Sequence, residues 1–413
     1  MADGQAVDGQ AVDGQDDGLR VLVDATAIPA DRGGVGRYVD ELLPALRRAG
    51  VDVVVVCQRR DVEQVTALVG RRRVVAAPGW VARRPARLVW EQVGLPRVVA
   101  RTRAKVLHSP HYTMPLITAA PLITAPPLVT AAPLVTGRFA RVVTLHDATF
   151  FSHPQLHSRV KAVFFRTWTR LAVRSSAVLV VPSRATASQV AQYTGADPAR
   201  FHVAYHGVDT DVFHPADADA QQRVRASLGL DRTTPYVAFL GTLEPRKNVP
   251  ALVRGWAQAA AGRDPAPVLV LAGGRGWDDT IEPTLAQVPD GLRVVRPGYL
   301  PLADLAPFLS GAQVVAYPSL GEGFGLPVLE AMACGAAVLT SAELALSEVG
   351  GDAVAYTGTT AADIADRLGR LLDDAGERDR LRSAGLARAA GFTWDAAAQV
   401  HRSAYREAAR RAR

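Results

Sequence analysis

Short apolar runs alternate with amphipathic stretches along most of this chain. The apolar runs have the length of buried strands and lie at residues 19–24, 51–57, 141–145, 177–182, 236–240, 268–272, 292–295, 313–317 and 336–340. Helical patterns separate several of them, for example from about Arg37 to Arg48. Strands that alternate with helices predict parallel sheets covered by helices on both faces. We therefore predict an α/β protein with two Rossmann-like halves.

The predicted elements divide into two domains near residue 212. We assign residues 19–212 to an N-terminal domain and residues 213–392 to a C-terminal domain, which an acidic, Ala-rich linker at about 216–232 introduces. Thr393 is a suitable N-cap for a last helix within 393–413. With 413 residues and 48% hydrophobic content, the chain is large enough to bury two cores.

Two repetitive segments interrupt this pattern. Residues 1–18 repeat a five-residue acidic unit without an apolar core, so we expect a disordered tail rather than a signal peptide. Residues 115–136 repeat every six residues and carry no charge. Their length suits a membrane span, but the proline in every repeat removes a helix donor, so we reject a spanning helix. We predict a mobile low-complexity insertion there.

Positive charge is concentrated in one part of the first domain. The whole chain has a formal charge of +7, whereas residues 71–105 contain ten Arg or Lys residues and a single acid, Glu91. Such a run is usually a solvated face. Because Trp80 and Trp90 lie among the cations, contact with an anionic membrane surface or an acceptor is a second interpretation. Nucleic acid is a third, but no binding motif accompanies it, so we predict no nucleic-acid partner.

Cysteine usage indicates the compartment. Cys57 and Cys334 lie far apart in unrelated contexts, which is typical of reduced thiols rather than of a disulfide scaffold. We therefore predict a cytoplasmic protein, with peripheral attachment to the inner face of the membrane as an option.

A glycine-rich turn in the second domain is the strongest candidate for a binding site. Three glycines follow the apolar run 313–317, and a short helix begins after them. The amides of Phe324, Gly325 and Leu326 precede that helix and lack helical partners, so they favour an anion such as a diphosphate. Glu322 lies in the turn and Glu330 in the helix, with seven residues between them. Glu330 is placed to accept hydrogen bonds from ribose hydroxyls.

Cationic and imidazole side chains follow two other predicted strands. Arg246 and Lys247 precede a helix, where the helix dipole disfavours cations, so we interpret them as a diphosphate site rather than as an ordinary helix start. His146 directly follows a buried strand, at the edge where open α/β sheets place ligands. We also assign Gly34 and Gly274 to loops that face the same cleft. Asp209–Asp211 mimics a metal-binding DXD motif, but we interpret it as a turn and predict no metal site.

These motifs together resemble the retaining GT-B glycosyltransferases of the GT4 type. Glu322 and Glu330 match the EX7E signature, and EPRKN at 244–248 resembles the phosphate-binding segment. His146–Asp147 matches the point where relatives hold a His near the donor sugar. The resemblance covers residues 19–413 apart from the repeat. It departs at Thr242, where many relatives have Arg, so we expect one cationic contact to be absent or to come from elsewhere in the chain.

The resemblance implies a fold and a reaction. The fold would be GT-B, with two Rossmann-like domains facing across a cleft and the terminal helix crossing back onto the first domain. The reaction would move a sugar, with GDP-mannose as a first candidate, from a nucleotide sugar to a glycan, lipid-linked or small-molecule acceptor. It would need neither metal nor cofactor, with His146 and Glu322 as catalytic residues. A non-enzymatic nucleotide-sugar-binding protein and a nucleic-acid-binding protein are the alternatives.

Overall fold

The computed structural model describes residues 19–30, 32–116, 139–175 and 177–412. Its strands are β1 (Arg20–Asp24), β2 (Asp52–Cys57), β3 (Val74–Ala76), β4 (Val106–Ser109), β5 (Ala140–Thr144), β6 (Val178–Val181), β7 (Phe201–Val203), β8 (Tyr236–Leu240), β9 (Val268–Ala272), β10 (Val294–Gly298), β11 (Val314–Tyr317), β12 (Val338–Ser341) and β13 (Ala355–Thr357). The predicted tail 1–18 and nearly all of the predicted insertion lie outside the described residues.

Fifteen α-helices are assigned within the same ranges. They are α1 (Gly33–Arg48), α2 (Val62–Val69), α3 (Arg84–Thr102), α4 (Thr149–Ser152), α5 (Arg159–Arg174), α6 (Arg184–Thr194), α7 (Ala218–Ser227), α8 (Val249–Ala260), α9 (Ile281–Leu285), α10 (Leu302–Ser310), α11 (Leu326–Ala333), α12 (Ala345–Gly350), α13 (Ala361–Asp373), α14 (Ala375–Ala389) and α15 (Trp394–Arg411).

The strands form two separate parallel sheets. The first has the order β3-β2-β1-β4-β5-β6-β7 and the second the order β10-β9-β8-β11-β12-β13. Strand order reverses between β1 and β4 in the first sheet and between β8 and β11 in the second. Open α/β sheets form a ligand crevice at the carboxyl ends of the strands where the order reverses. The two sheets confirm the predicted α/β class with two Rossmann-like halves.

The last helix packs on the first sheet, although it follows the second sheet in sequence. Thr393 caps α15 by accepting a hydrogen bond from the amide of Ala396, at 3.1 Å. Trp394, Ala398 and Tyr405 of this helix are buried in the core that includes α1 and β5. The chain therefore returns to its first half after completing its second.

Two sequence predictions need correction. The glycines at 33–36 do not form a loop but the first turn of α1. A Cβ atom on Gly36 would lie 2.8 Å from the Cβ of Arg32, so glycine here permits close packing. The predicted linker at 216–232 contains a helix that the sequence analysis did not predict, α7, which Asp217 caps through the amide of Ala220 at 2.7 Å. The helix was not predicted because its sequence has few apolar residues.

Candidate active site

A cleft of about 680 Å³ lies between the two sheets, at the carboxyl ends of their strands. All ten residues that the sequence assigned to the site line it: Gly34, His146, Arg246, Lys247, Gly274, Glu322, Phe324, Gly325, Leu326 and Glu330. Gly34 and His146 come from the first half and the other eight from the second. The structure thus brings the predicted residues together in one place.

A buried cluster of opposite charges holds the two predicted phosphate-binding cations. Lys247 donates to Oε1 of Glu322 at 2.6 Å, and Arg246 donates to Oε2 of the same carboxylate. Arg246 also donates to Glu244 at 2.8 Å. Tyr317 and Ser319 donate to Oε1 of Glu322 at 3.0 and 2.9 Å. Glu322 is therefore saturated with donors and fixes the position of both cations.

The charge state of Glu322 follows from these contacts. Burial by itself raises the pKa of this carboxyl group, but Arg246 and Lys247 outweigh burial and hold the pKa at about 2. The carboxylate is consequently ionised throughout the physiological range. Because Glu244 adds a second anion beside Arg246, the cluster also keeps that guanidinium fully charged.

The start of α11 presents unpaired amides to the same cleft. Gly325 has a φ of 104° and precedes the first helical residue, Leu326. Among the residues that the structure describes, the amides of Phe324, Gly325 and Leu326 have no hydrogen-bond acceptor. Pro327 in the first turn lacks an N–H altogether. These amides lie at the positive end of the helix dipole and are suited to an anionic ligand.

Glu330 has one satisfied and one unsatisfied carboxylate oxygen. Arg37 of α1 donates to Oε1, whereas the buried Oε2 has no partner in the described part of the chain. Burial raises the pKa of this carboxyl group, although Arg37 partly offsets the effect. An unpaired, buried carboxylate oxygen is costly unless a ligand supplies donors, so this atom marks a place for hydroxyl groups.

His146 is half-buried and its orientation is fixed. Its Nε2 donates to the carbonyl of Pro110 at 2.7 Å, and the ring packs edge-on against Tyr38 with centroids 5.0 Å apart. Burial lowers the pKa of this imidazole, although Pro110 and Asp147 oppose the shift. The ring is therefore neutral near pH 7 and carries its acceptor at Nδ1, to which none of the described residues donates.

Tyr38, which packs against His146, belongs to a chain of buried hydrogen bonds. Tyr405 donates to Nδ1 of His108 at 2.9 Å, and Nε2 of His108 donates to Thr144 at 2.8 Å. Thr144 is 3.0 Å from the hydroxyl of Tyr38, which donates to Nε2 of His401 at 2.7 Å. Nδ1 of His401 donates to the Ala397 carbonyl at 2.7 Å, so its Nε2 is free to accept from Tyr38 only when the ring is neutral. In the same way, Nδ1 of His108 can accept from Tyr405 only when that ring is neutral.

Hydrogen bonds between side chains and backbone join the two halves at the glycine turn. The carbonyl of Gly323 accepts hydrogen bonds from Ser183 at 2.8 Å and Thr186 at 3.1 Å, both at the start of α6. Glu348 of the second half caps the same helix by accepting from the amides of Arg184 and Ala185 at 3.0 and 3.1 Å. The start of α6 is thus bonded to two parts of the second half, the glycine turn and Glu348.

One buried group within the described ranges has the composition of a metal site. The ligand atoms of Asp24, Glu91 and His111 lie within 4.8 Å of one another. Arg87 already donates to Glu91 at 2.9 Å, and Nε2 of His111 is 3.4 Å from Asp24. Because Arg87 pairs with Glu91 and the ring of His111 lies beside Asp24, we interpret the group as a polar network. Asp209 accepts from the amide of Asp211 at 2.9 Å, which is the predicted turn.

Sequence reasoning missed several residues that line the cleft, and three of them carry polar groups that bear on the site. Arg37 pairs with Glu330 across 293 positions of sequence, and Lys161 of α5 borders the opening. His206 is buried with an unpaired Nδ1 and packs against Phe324 at 4.9 Å. Arg37 directly follows the glycines of α1, which was a usable signal. Lys161 and His206 carried none in a single sequence.

Two family models match the two halves of the chain in turn. The model described as Glycosyltransferase Family 4 matches residues 32–212, and the model described as Glycosyl transferases group 1 matches residues 220–388. The chain belongs to glycosyltransferase family 4. This confirms the family that the EX7E resemblance indicated.

Curated relatives share part of the chain. D-inositol 3-phosphate glycosyltransferases of Mycobacterium bovis and Mycobacterium tuberculosis are 38% identical over 248 residues, which cover 56% of this chain and 48% of theirs. The chain spans about half the length of the curated relatives it matches.

Solved structures of low sequence identity share the fold of this chain. Sucrose-phosphate synthase from Thermosynechococcus elongatus superposes with a TM-score of 0.73 at 21% identity, covering 94% of this chain and 98% of that one. The Anabaena protein HepE in complex with UDP-glucose gives a TM-score of 0.70 at 17% identity, with coverages of 93% and 99%. The likeness confirms the predicted GT-B fold.

Proposed function

We propose that this family 4 protein transfers a sugar from a nucleotide diphosphate sugar to an acceptor hydroxyl, with retention of the anomeric configuration. One observation carries the proposal: two fixed cations, Arg246 and Lys247, share a cleft with the unpaired amides of α11 and the unpaired Oε2 of Glu330. A diphosphate suits the cations and amides. A ribose suits Glu330, one turn further along the helix.

The reaction needs charge stabilisation more than proton transfer from the protein. As the bond between the anomeric carbon and the diphosphate oxygen breaks, negative charge accumulates on the phosphate, where Arg246 and Lys247 stabilise it. The acceptor oxygen forms its bond on the same face and gives its proton to the departing phosphate. His146 accepts a hydrogen bond from a sugar hydroxyl at Nδ1. Glu322 acts by positioning the two cations.

The donor and the absence of a metal are the finer parts of this proposal. GDP-mannose is the first donor to test. The two cations occupy the role that a divalent metal has in other glycosyltransferases, so turnover should persist in excess chelator. Complete loss of turnover that manganese or magnesium restores would reopen a metal role for Asp209 and Asp211.

The acceptor and the cellular location follow the same proposal. We assign the acceptor to glycans, lipid-linked sugars or small polyols, and the protein to the cytoplasm, working at the inner face of the membrane. The name of the curated relatives adds a phosphorylated inositol to the acceptors worth testing. None of the helices formed by residues 19–30, 32–116, 139–175 and 177–412 is both long and apolar enough to cross a bilayer.

A donor screen tests the proposal directly. The protein is incubated with a panel of GDP-, UDP- and ADP-sugars and with mixed acceptors, and products are identified by mass. We expect one donor class to be consumed and released as its nucleoside diphosphate, and Lys247→Met to abolish that release. If the protein binds a nucleotide sugar tightly but turns none over with any acceptor, the non-enzymatic binding protein becomes the better interpretation.

A further inference from the structure

Helix α5 carries an unusual combination of charge and apolar exposure. From residue 148 to residue 196 the chain contains no Asp or Glu, but six Arg or Lys residues. At the chain average of 40 acidic residues in 413, about five acids would be expected in these 49 positions. Five of the six cations belong to α5, which contains no acidic residue. Within this acid-free segment, the positive charge is therefore concentrated in one helix.

The solvent face of α5 mixes cations with exposed valines. Val160 and Val163 are 82% and 61% exposed, which is high for apolar side chains. At 100° per residue, they lie on the same face as the exposed Arg159, Arg170 and Arg174. The opposite face, with Ala162, Ala172 and Val173, is buried against the first sheet. The helix is thus anchored on one side and apolar and basic on the other.

The cations of this face are available to a partner. Within the described residues, none of the five cations of α5 has a carboxylate within ion-pair distance. Arg166 and Arg170 lie over the ring of Phe151, at 5.7 and 5.2 Å, and Arg166 also donates to the carbonyl of Phe150 at 2.6 Å. Arg159 and Arg174 are exposed. Ser158 caps the helix, so its geometry is maintained without a partner.

The location of α5 connects this face to the cleft. Lys161 lies on the side of the helix that lines the cleft, and its ammonium is 5.2 Å from the ring of Trp277 in the second half. Trp277 is itself 55% exposed. The cation–π contact therefore places the start of α5, which also carries Arg159 and Val160, at the mouth of the cleft.

We propose that the exposed face of α5 docks on an anionic lipid bilayer and holds the mouth of the cleft at the lipid surface. The arginines attract anionic headgroups, and the valines enter the boundary between headgroups and acyl chains. A nucleic acid would also attract the arginines, but exposed valines contribute nothing to a phosphate backbone. Docking in this orientation places the Lys161–Trp277 opening where a lipid-linked acceptor is presented, a consequence that rests on the proposed function.

Vesicle binding tests the docking without any turnover, so its result is independent of the enzymatic proposal. The full chain is mixed with vesicles of phosphatidylcholine alone or of phosphatidylcholine with phosphatidylglycerol, and bound protein is measured by co-sedimentation. We expect binding to the anionic vesicles that weakens with salt. The triple variant Arg159→Gln, Arg170→Gln and Arg174→Gln should lower the partition coefficient about 100-fold, since each cation near the surface contributes about 1 kcal/mol.

A control variant also removes three positive charges, but from another part of the first domain. Arg71, Arg72 and Arg101 are exposed and belong to the basic run 71–105, and Arg71 and Arg72 precede β3, at the sheet edge remote from β5 and β6. Their replacement by Gln should change binding by less than about threefold, because charges beyond a Debye length are screened. Equal loss in both variants, or loss only in the second, would overturn the assignment to α5.

A third variant separates lipid insertion from simple charge attraction. Val160→Ser with Val163→Ser keeps every cation and should abolish the binding that persists at high salt. Circular dichroism confirms that each variant is folded. If none of the lipid mixtures retains the protein, while labelled duplex DNA binds in a manner that depends on Arg159, Arg170 and Arg174, the face serves nucleic acid and the membrane proposal is wrong.

Discussion

The carbonyl oxygen of His146 lies 1.8 Å from the position that a Cβ atom on Gly323 would occupy. The turn that carries Glu322 and the strand end that carries His146 are therefore in direct contact, backbone against backbone. Because the Gly323 carbonyl also accepts from Ser183 and Thr186, this contact fixes the distance between the two halves of the cleft.

Gly323→Ala should disrupt this spacing. A Cβ atom at that distance from an oxygen forces the turn or His146 to move by more than 1 Å, a displacement of the kind that costs about 100-fold in rate. We expect turnover with the donor identified by the screen to fall by about that factor or more. Gly369→Ala is the matched control, since Gly369 lies in α13 and an added Cβ meets nothing closer than 3.8 Å. Normal turnover in Gly323→Ala would show that the halves do not need this contact.

Glu330→Gln should weaken binding of a nucleoside diphosphate. The unpaired Oε2 is the predicted acceptor for ribose hydroxyls, and loss of a charged hydrogen bond costs about 1–3 kcal/mol. Calorimetric titration with GDP and UDP measures the change. Glu343→Gln, an exposed glutamate nearby in sequence, should leave the affinity unaltered. An unaltered affinity in a folded Glu330→Gln variant would remove this residue from the nucleotide site.

His146→Ala should separate turnover from nucleotide binding. The imidazole is assigned to the sugar, so its loss should lower kcat by about 100-fold or more, within the range for a positioned polar group. Affinity for the free nucleoside diphosphate, which lacks the sugar, should hardly change. His153→Ala, outside the cleft lining, serves as the control. The opposite result, weak diphosphate binding with normal kcat, would place His146 in the nucleotide pocket instead.

Acid should destabilise the protein through its buried imidazoles. Burial lowers the pKa of His108, His146 and His206, and it lowers the pKa of His401 to about 4. Below the unfolded pKa of about 6.5 the unfolded chain binds more protons, so the free energy of unfolding falls as the pH falls. For His401 alone the loss between pH 6.5 and pH 4 is about 3 kcal/mol. Urea unfolding at constant ionic strength measures the slope.

The contribution of His401 can be isolated. In His401→Gln, the unfolded chain no longer binds a proton at this position. The free energy of unfolding should therefore depend less steeply on pH over this range. His214→Gln, at an exposed position, should leave the slope as it is in the unsubstituted protein. A slope that does not respond to His401→Gln would mean that this imidazole binds its proton equally well in the folded and unfolded states, against the hydrogen-bond chain through Tyr38 and Thr144.

The residues of the site were easier to predict from sequence than the residues that hold them in place. The glycine turn with Glu322 and Glu330 could be located because loop, helix start and carboxylate spacing are all local in sequence. The partner of Glu330 could not, because Arg37 is 293 positions away, and its place after the glycines at 33–36 does not indicate which acid it meets. Glu322 was predicted to be catalytic, and its saturation by Arg246 and Lys247 could not be foreseen because it is a tertiary arrangement.

The errors in the fold have physical causes of the same kind. Three glycines at 33–36 suggested a loop, but glycine also adopts helical angles, and close packing against Arg32 decided the outcome. Helix α7 has a single buried side chain, Val224, so its sequence showed no apolar stripe. Apolar residues of a helix usually lie on its buried face, but Val160 and Val163 of α5 are exposed. Their exposure cannot be recognised from sequence unless the buried face of the helix is known.

The return of α15 to the first sheet affects how the protein is made. A ribosome that has released residues 19–212 has not yet supplied Trp394, Ala398 and Tyr405, which complete the core against α1 and β5. The first half therefore finishes packing only after the second half has been synthesised. During that interval its unfilled apolar face is exposed to chaperones and to other chains, as partly folded domains generally are. Any premature stop before residue 394 leaves the earlier half, rather than the later one, without its last structural element.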